Sequence, residues 1–91
     1  MNRKKISEKE INELYDVILK LKDKKDCKEL FNDLCTTKEV EQMAQRVKAA
    51  KLLMEGNTYN DVINLTDISS ATLSRVSRCV QYGKGYTKFV K

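Results

Sequence analysis

At 91 residues the chain is one small domain, of a size whose core alone gives modest stability, so association of copies would help it. It has no proline, three glycines, and 34% charged beside 41% hydrophobic residues, which disfavours a β-rich fold and suits amphipathic helices with solvated faces. There is no histidine and the net charge is +5, which leaves acid–base catalysis poorly equipped and favours a polyanionic partner.

Residues 1–5 form a basic tail. Ser7, followed by Glu8 and Glu10, reads as a helix start: the hydroxyl can cap, and the acids suit the positive end of a helix dipole. Ile11, Leu14, Tyr15, Ile18 and Leu21 then recur at helical spacing, with Val17 and Leu19 widening the stripe. The pattern predicts a helix over about 7–22, with lysines crowding its end. Asp26 is the predicted cap of a second helix over about 27–34, whose inner side is Leu30, Phe31 and Leu34. Thr36-Thr37-Lys38-Glu39 is a capping-box pattern that opens a third helix running to about Glu55. Its stripe is Val40, Met43, Ala44, Val47, Ala50 and Leu53, extended by Ala49, Leu52 and Met54, and Gly56-Asn57 supplies a left-handed stop. Faces this wide need cover from more than one side, so residues 7–56 are read as dimerisation helices.

Residues 58–80 read as a helix-turn-helix. Thr58 caps a helix Tyr59–Leu65, with Val62 and Ile63 inward and Leu65 beside them. Thr66-Asp67 makes the turn and Ile68 plugs between the two helices. Ser69 caps the second helix, which buries Leu73, Val76 and Val80 and leaves Ser70, Ala71, Ser74 and Arg75 on or near an outward face. A helix that opens with small hydroxyl residues and continues with arginines suits the major groove of DNA. The Ser69–Ala71 end can hold a phosphate, Thr72 can meet a base edge or a thymine methyl, and Arg75 can reach a phosphate or a guanine. Thr58, Tyr59 and Asn60 would contact the backbone, and Lys84 and Lys88 would add sequence-independent affinity. Residues 81–91 are a basic C-terminal tail; from residue 57 onward five basic residues face two acids, and both acids precede the second helix. For each of these side chains an ordinary solvated surface is the rival reading.

The three cysteines, Cys27, Cys35 and Cys79, are odd in number and include no Cys-x-x-Cys, which reads as reduced thiols, with no metal site. The N-terminus has no signal-peptide core and no apolar run reaches the ~20 residues of a membrane span, so a cytoplasmic protein is expected. No nucleophile–base signature or phosphate-binding glycine loop is present, so neither enzyme activity nor a cofactor is expected.

From Thr36 to Val80 the chain resembles the Trp repressor. The matching stretches are Thr36-Thr37-Lys38-Glu39, Arg46-Val47-Lys48, Leu52-Leu53-x-x-Gly56 and Ala71-Thr72-Leu73-Ser74-Arg75. With the ending Gln81-Tyr82-Gly83-Lys84-Gly85-Tyr86, the whole chain is most similar to the Trp-repressor-like YerC/YecD family. The resemblance implies an intertwined all-helical homodimer on operator DNA and a ligand pocket in which Arg46 and Arg75 would stack on a planar ring, with Thr36 lining it. Three positions depart from the pattern. Cys79 replaces a serine that helps hold the ligand's amino group, Val76 replaces a glycine that leaves room for an indole, and Asp61 replaces a basic residue. Cys79 and Val76 disfavour tryptophan as the effector, and Asp61 implies different DNA contacts. An ion pair of Arg46 with Glu39 or Asp33 is the structural alternative to a ligand role.

The sequence therefore predicts an all-α homodimer that binds double-stranded DNA as a transcriptional regulator, by repression, with a small-molecule effector other than tryptophan. The alternative is a helical protein–protein interaction module without specific DNA binding.

Overall fold

Four helices in this chain start where a short polar side chain, Ser7, Asp23, Thr58 or Ser69, takes up a backbone amide that the first turn leaves unpaired. The computed structural model describes residues 5–91, so the basic tail expected at 1–5 lies, but for Lys5, outside the described residues. Within them the chain forms α1 (Glu8–Ile18), α2 (Lys24–Leu34), α3 (Thr37–Met54), α4 (Tyr59–Thr66), α5 (Ser70–Tyr82) and α6 (Gly85–Phe89), with no strand among the described residues. It divides into two compact units, Met1–Thr36 and Thr37–Lys91.

In the N-terminal unit Ser7 caps α1 by accepting from the Glu10 amide, as the sequence pattern requires. The helix stops at Ile18, four residues short of the predicted 22. The reason is local. The amides of Lys20 and Leu21 turn to the carbonyls of Val17 and Ile18, tightening the last turn, and the chain must then become extended at Asp23. The α2 cap is that Asp23, not Asp26. The Asp23 carboxylate accepts from the Asp26 amide at 2.9 Å, and the Asp26 carboxylate accepts from the Lys22 amide at 2.9 Å. The pair works like a capping box whose second carboxylate reaches one residue further back, to Lys22 rather than to the cap itself, and the start of α2 is Lys24 rather than 27. Neither α1 nor α2 contains a buried residue.

In the C-terminal unit the core is Ala49, Ala50 and Leu52 of α3, Val62 of α4, Ile68 of the turn, and Leu73 and Val76 of α5. Leu53, Met54, Ile63, Val80 and Tyr86 pack against it. Ala49 and Ala50 are fully buried, and Ser77 of α5 is buried too. Small side chains on both helices let α5 lie close against α3, which it contacts more extensively than any other element. Ser77 did not stand out from the apolar spacing because its role is size rather than hydrophobicity. Leu65, expected beside Val62 and Ile63, faces outward at 65% exposed, and Ala44 and Val47 of the α3 stripe are exposed in the single chain. An eight-residue helix has one narrow inward stripe, and Val62 with Ile63 fills it.

The end of α3 is set by backbone geometry. Gly56 sits at φ +95°, its amide donates to the Leu53 carbonyl, and the Asn57 amide donates to the Leu52 carbonyl. This is a Schellman ending, and the Asn57 side chain reinforces it with a second bond to Leu52 O at 3.0 Å. Among the described residues no helix is long and apolar enough to cross a membrane.

Candidate nucleic-acid interface

Residues 58–82 form two helices joined by the three residues Asp67, Ile68 and Ser69. Thr58 caps α4 by accepting from the Asp61 amide at 3.2 Å. Asp67 ends it in the left-handed region, at φ +63°, donating its amide to Ile63 O at 2.8 Å. This is the position where many such turns place glycine, and a short carboxylate side chain tolerates it better than a branched one.

Thr66 holds the turn in three ways. Its hydroxyl donates to Val62 O at 2.6 Å and accepts from the Ile68 amide at 3.3 Å, and its carbonyl accepts from the Gln45 side chain of α3 at 2.9 Å. Ile68, 2% exposed, is driven into the core by this geometry, between Val62 and Leu73, both fully buried. The two helices are therefore fixed to each other and to α3.

Ser69 caps α5. Its Oγ accepts from the Thr72 amide at 3.2 Å and donates to Thr72 Oγ1 at 2.9 Å. The first turn of α5 has no acid, so nothing on the helix offsets the positive end of its dipole. Ser69, Ser70, Ala71, Ser74 and Arg75 are exposed, Thr72 is half-buried, and Arg78 and Lys84 are exposed. At the start of α4, Thr58, Tyr59 and Asn60 are exposed as well. Hydroxyls, free amides and guanidinium groups thus stand outward on α5, while Leu73, Val76 and Ser77 anchor its other side.

A cavity of about 610 Å³ lies beside this helix, lined by Arg46 of α3, by Ala71, Thr72, Arg75, Val76 and Cys79 of α5, and by Tyr86 of α6. No acidic residue lines it. Three of the four residues expected to hold an effector, Arg46, Arg75 and Cys79, meet here. Thr36, the fourth, closes the N-terminal unit and is described with it. Arg46 and Arg75 face the cavity from α3 and α5. Val76 fills its place in the core and still leaves the cavity open. Tyr86 was not foreseen as a lining residue. The available signal was Gly83, which lets the chain reverse after α5.

A family model described as Trp repressor protein matches residues 9–91. The chain belongs to the Trp repressor family. It is 47% identical over 79 residues to the uncharacterised Bacillus subtilis (strain 168) protein YerC, an alignment covering 87% of this chain and 76% of that one. Two crystal structures share its fold at 40% identity. One, a candidate Trp repressor from Staphylococcus aureus, has a TM-score of 0.80, with 85% of this chain and 78% of that chain covered. The other, a TrpR-like protein from Eubacterium eligens ATCC 27750, has a TM-score of 0.83, with 88% and 84% covered. The all-helical fold and the family resemblance expected from the sequence are therefore correct. The arrangement of α4 and α5 about their three-residue turn is consistent with the helix-turn-helix expected from the sequence.

Proposed function

We propose that this chain is a dimeric, sequence-specific DNA-binding transcriptional regulator that acts as a cytoplasmic repressor by occluding its site. The observation that carries this reading is α5: a helix capped by Ser69, free of acids in its first turn, exposing Ser70, Ala71, Ser74 and Arg75, and braced from behind by α3 and α4. Membership of a regulatory, non-enzymatic family supports it. Ser69, Ser70 and Ala71 hold a backbone phosphate, Thr72 and Arg75 reach the groove, and Thr58, Tyr59, Asn60 and Lys84 contact the flanking backbone. Ser74 stands on the same face. Two copies would set their recognition helices about 34 Å apart, one turn of duplex.

The cavity supports an effector role. Two guanidinium groups, a phenol ring and no lining acid suit a planar or anionic small molecule. Val76 and Cys79 argue that this molecule is not tryptophan, and a thermal-shift panel of amino acids and nucleotides tests the point.

Selection of bound sequences from random duplex DNA is the decisive experiment for the DNA reading. A palindromic site with half-sites one helical turn apart should emerge, with affinity that falls steeply as salt rises. Recovery of no preferred sequence at low salt would sink it, and a protein partner whose binding ignores DNA competitor would put an interaction module in its place.

A further inference from the structure

The end of the chain is built differently from the rest of the C-terminal unit. α6 has only five residues, and its N-cap, Lys84, makes no side-chain cap hydrogen bond. A helix this short does not hold its shape alone. Of its side chains, Tyr86 alone is half-buried; Thr87, Lys88 and Phe89 are exposed. Tyr86 packs against the core cluster, and α6 contacts both α3 and α5. The same ring lines the cavity whose other walls are Arg46 on α3 and Arg75, Val76 and Cys79 on α5.

Gly83 brings the ring there. It caps α5 by donating its amide to Cys79 O at 2.8 Å, with an extended backbone at φ −89° and ψ 176°. A Cβ at this position would stand 2.7 Å from the Cys79 carbonyl oxygen, closer than real Cβ contacts allow. Only glycine lets the chain pass so near the end of α5 and return Tyr86 over it.

We infer that Tyr86 is a positioning residue for DNA binding: α6 is a strap that uses this one ring, seated between α3 and α5 at the cavity wall, to fix the angle of the recognition helix. α5 is anchored by Leu73, Val76 and Ser77 along its length, but Arg75 and Cys79 border open space. The ring closes that space from the α6 side. This inference rests on the DNA-binding reading above for its functional half and stands apart from it for its structural half.

The test compares Tyr86→Ala, Tyr86→Phe and Gly83→Ala in the full chain by affinity for the selected DNA site and by amide exchange across residues 70–82. Tyr86→Ala and Gly83→Ala should each weaken binding by roughly tenfold, the scale of side chains that act on a site at one remove, and should speed exchange in α5. Tyr86→Phe should match the wild type, and millimolar p-cresol should restore most of what Tyr86→Ala lost. Wild-type affinity and wild-type α5 exchange in Tyr86→Ala would overturn the inference. So would equal losses in Tyr86→Phe and Tyr86→Ala, which would make the hydroxyl a direct contact. If Tyr86→Ala loses its helical circular dichroism, Gly83→Ala, which leaves the ring in place, decides by the same two readouts. If the wild type selects no DNA site, the exchange comparison still decides whether the ring holds α5.

Discussion

The side-chain amide of Gln45 on α3 donates a hydrogen bond of 2.9 Å to the backbone carbonyl of Thr66, the last residue of α4. The bond joins residues 21 apart in sequence and is partly buried. It satisfies a carbonyl that the end of a helix leaves without an intrahelical partner, and it ties the turn to the central helix. Gln45→Ala should lower stability by about 1 kcal/mol, the usual scale for a lost hydrogen bond, which for a domain of this size is a fall of roughly 4–8 °C in Tm. Calorimetry checks it.

The core assignment separates two leucines of the same motif. Leu73→Ala should cost about 2–5 kcal/mol, because the side chain is fully buried and leaves a cavity. Leu65→Ala should change stability by no more than about 0.5 kcal/mol, because Leu65 is 65% exposed. Urea denaturation of the two variants distinguishes this arrangement from one with Leu65 turned inward.

The left-handed turns make opposite predictions. Gly56→Ala places a Cβ at φ +95° with nothing within 4 Å, so its cost is backbone strain alone, about 1–2 kcal/mol. Asp67→Gly removes a non-glycine residue from φ +63° and should stabilise the protein, by up to about 1 kcal/mol. Matching urea midpoints in both variants and the wild type would refute the strain argument.

The two aspartates at the start of α2 are not equivalent. Asp23→Ala removes the N-cap and should cost about 1 kcal/mol. Asp26→Ala leaves that cap in place and removes only the bond to the Lys22 amide, so its effect should be smaller. Thermal melts followed by circular dichroism rank the pair.

On DNA, Arg75→Ala should cost about 1–3 kcal/mol and relax preference at one base pair if the guanidinium reads a base. Lys84→Ala should weaken binding to all sequences alike and reduce the salt slope by about 1. Titrations at several salt concentrations separate the two outcomes.

Much of the helix-turn-helix was legible before any fold was known, because its signals are local. Thr58 and Ser69 cap amides three residues away, and Val62, Leu73 and Val76 follow a helical period. Gly56 announces a left-handed stop for a reason internal to its own backbone. The family pattern and the all-helical composition belong with these.

What only the tertiary structure decided depends on which neighbour covers a face. Period alone could not say that Leu65 would point outward while Ser77 was buried, since the first lacks a partner and the second sits where small size is needed. Gln45 finds Thr66 across 21 residues, and Tyr86 reaches the cavity of Arg46 and Arg75 only because Gly83 turns the chain back over α5. Hydrogen bonds within a turn are written in adjacent residues, whereas contacts between helices exist only once the helices have packed.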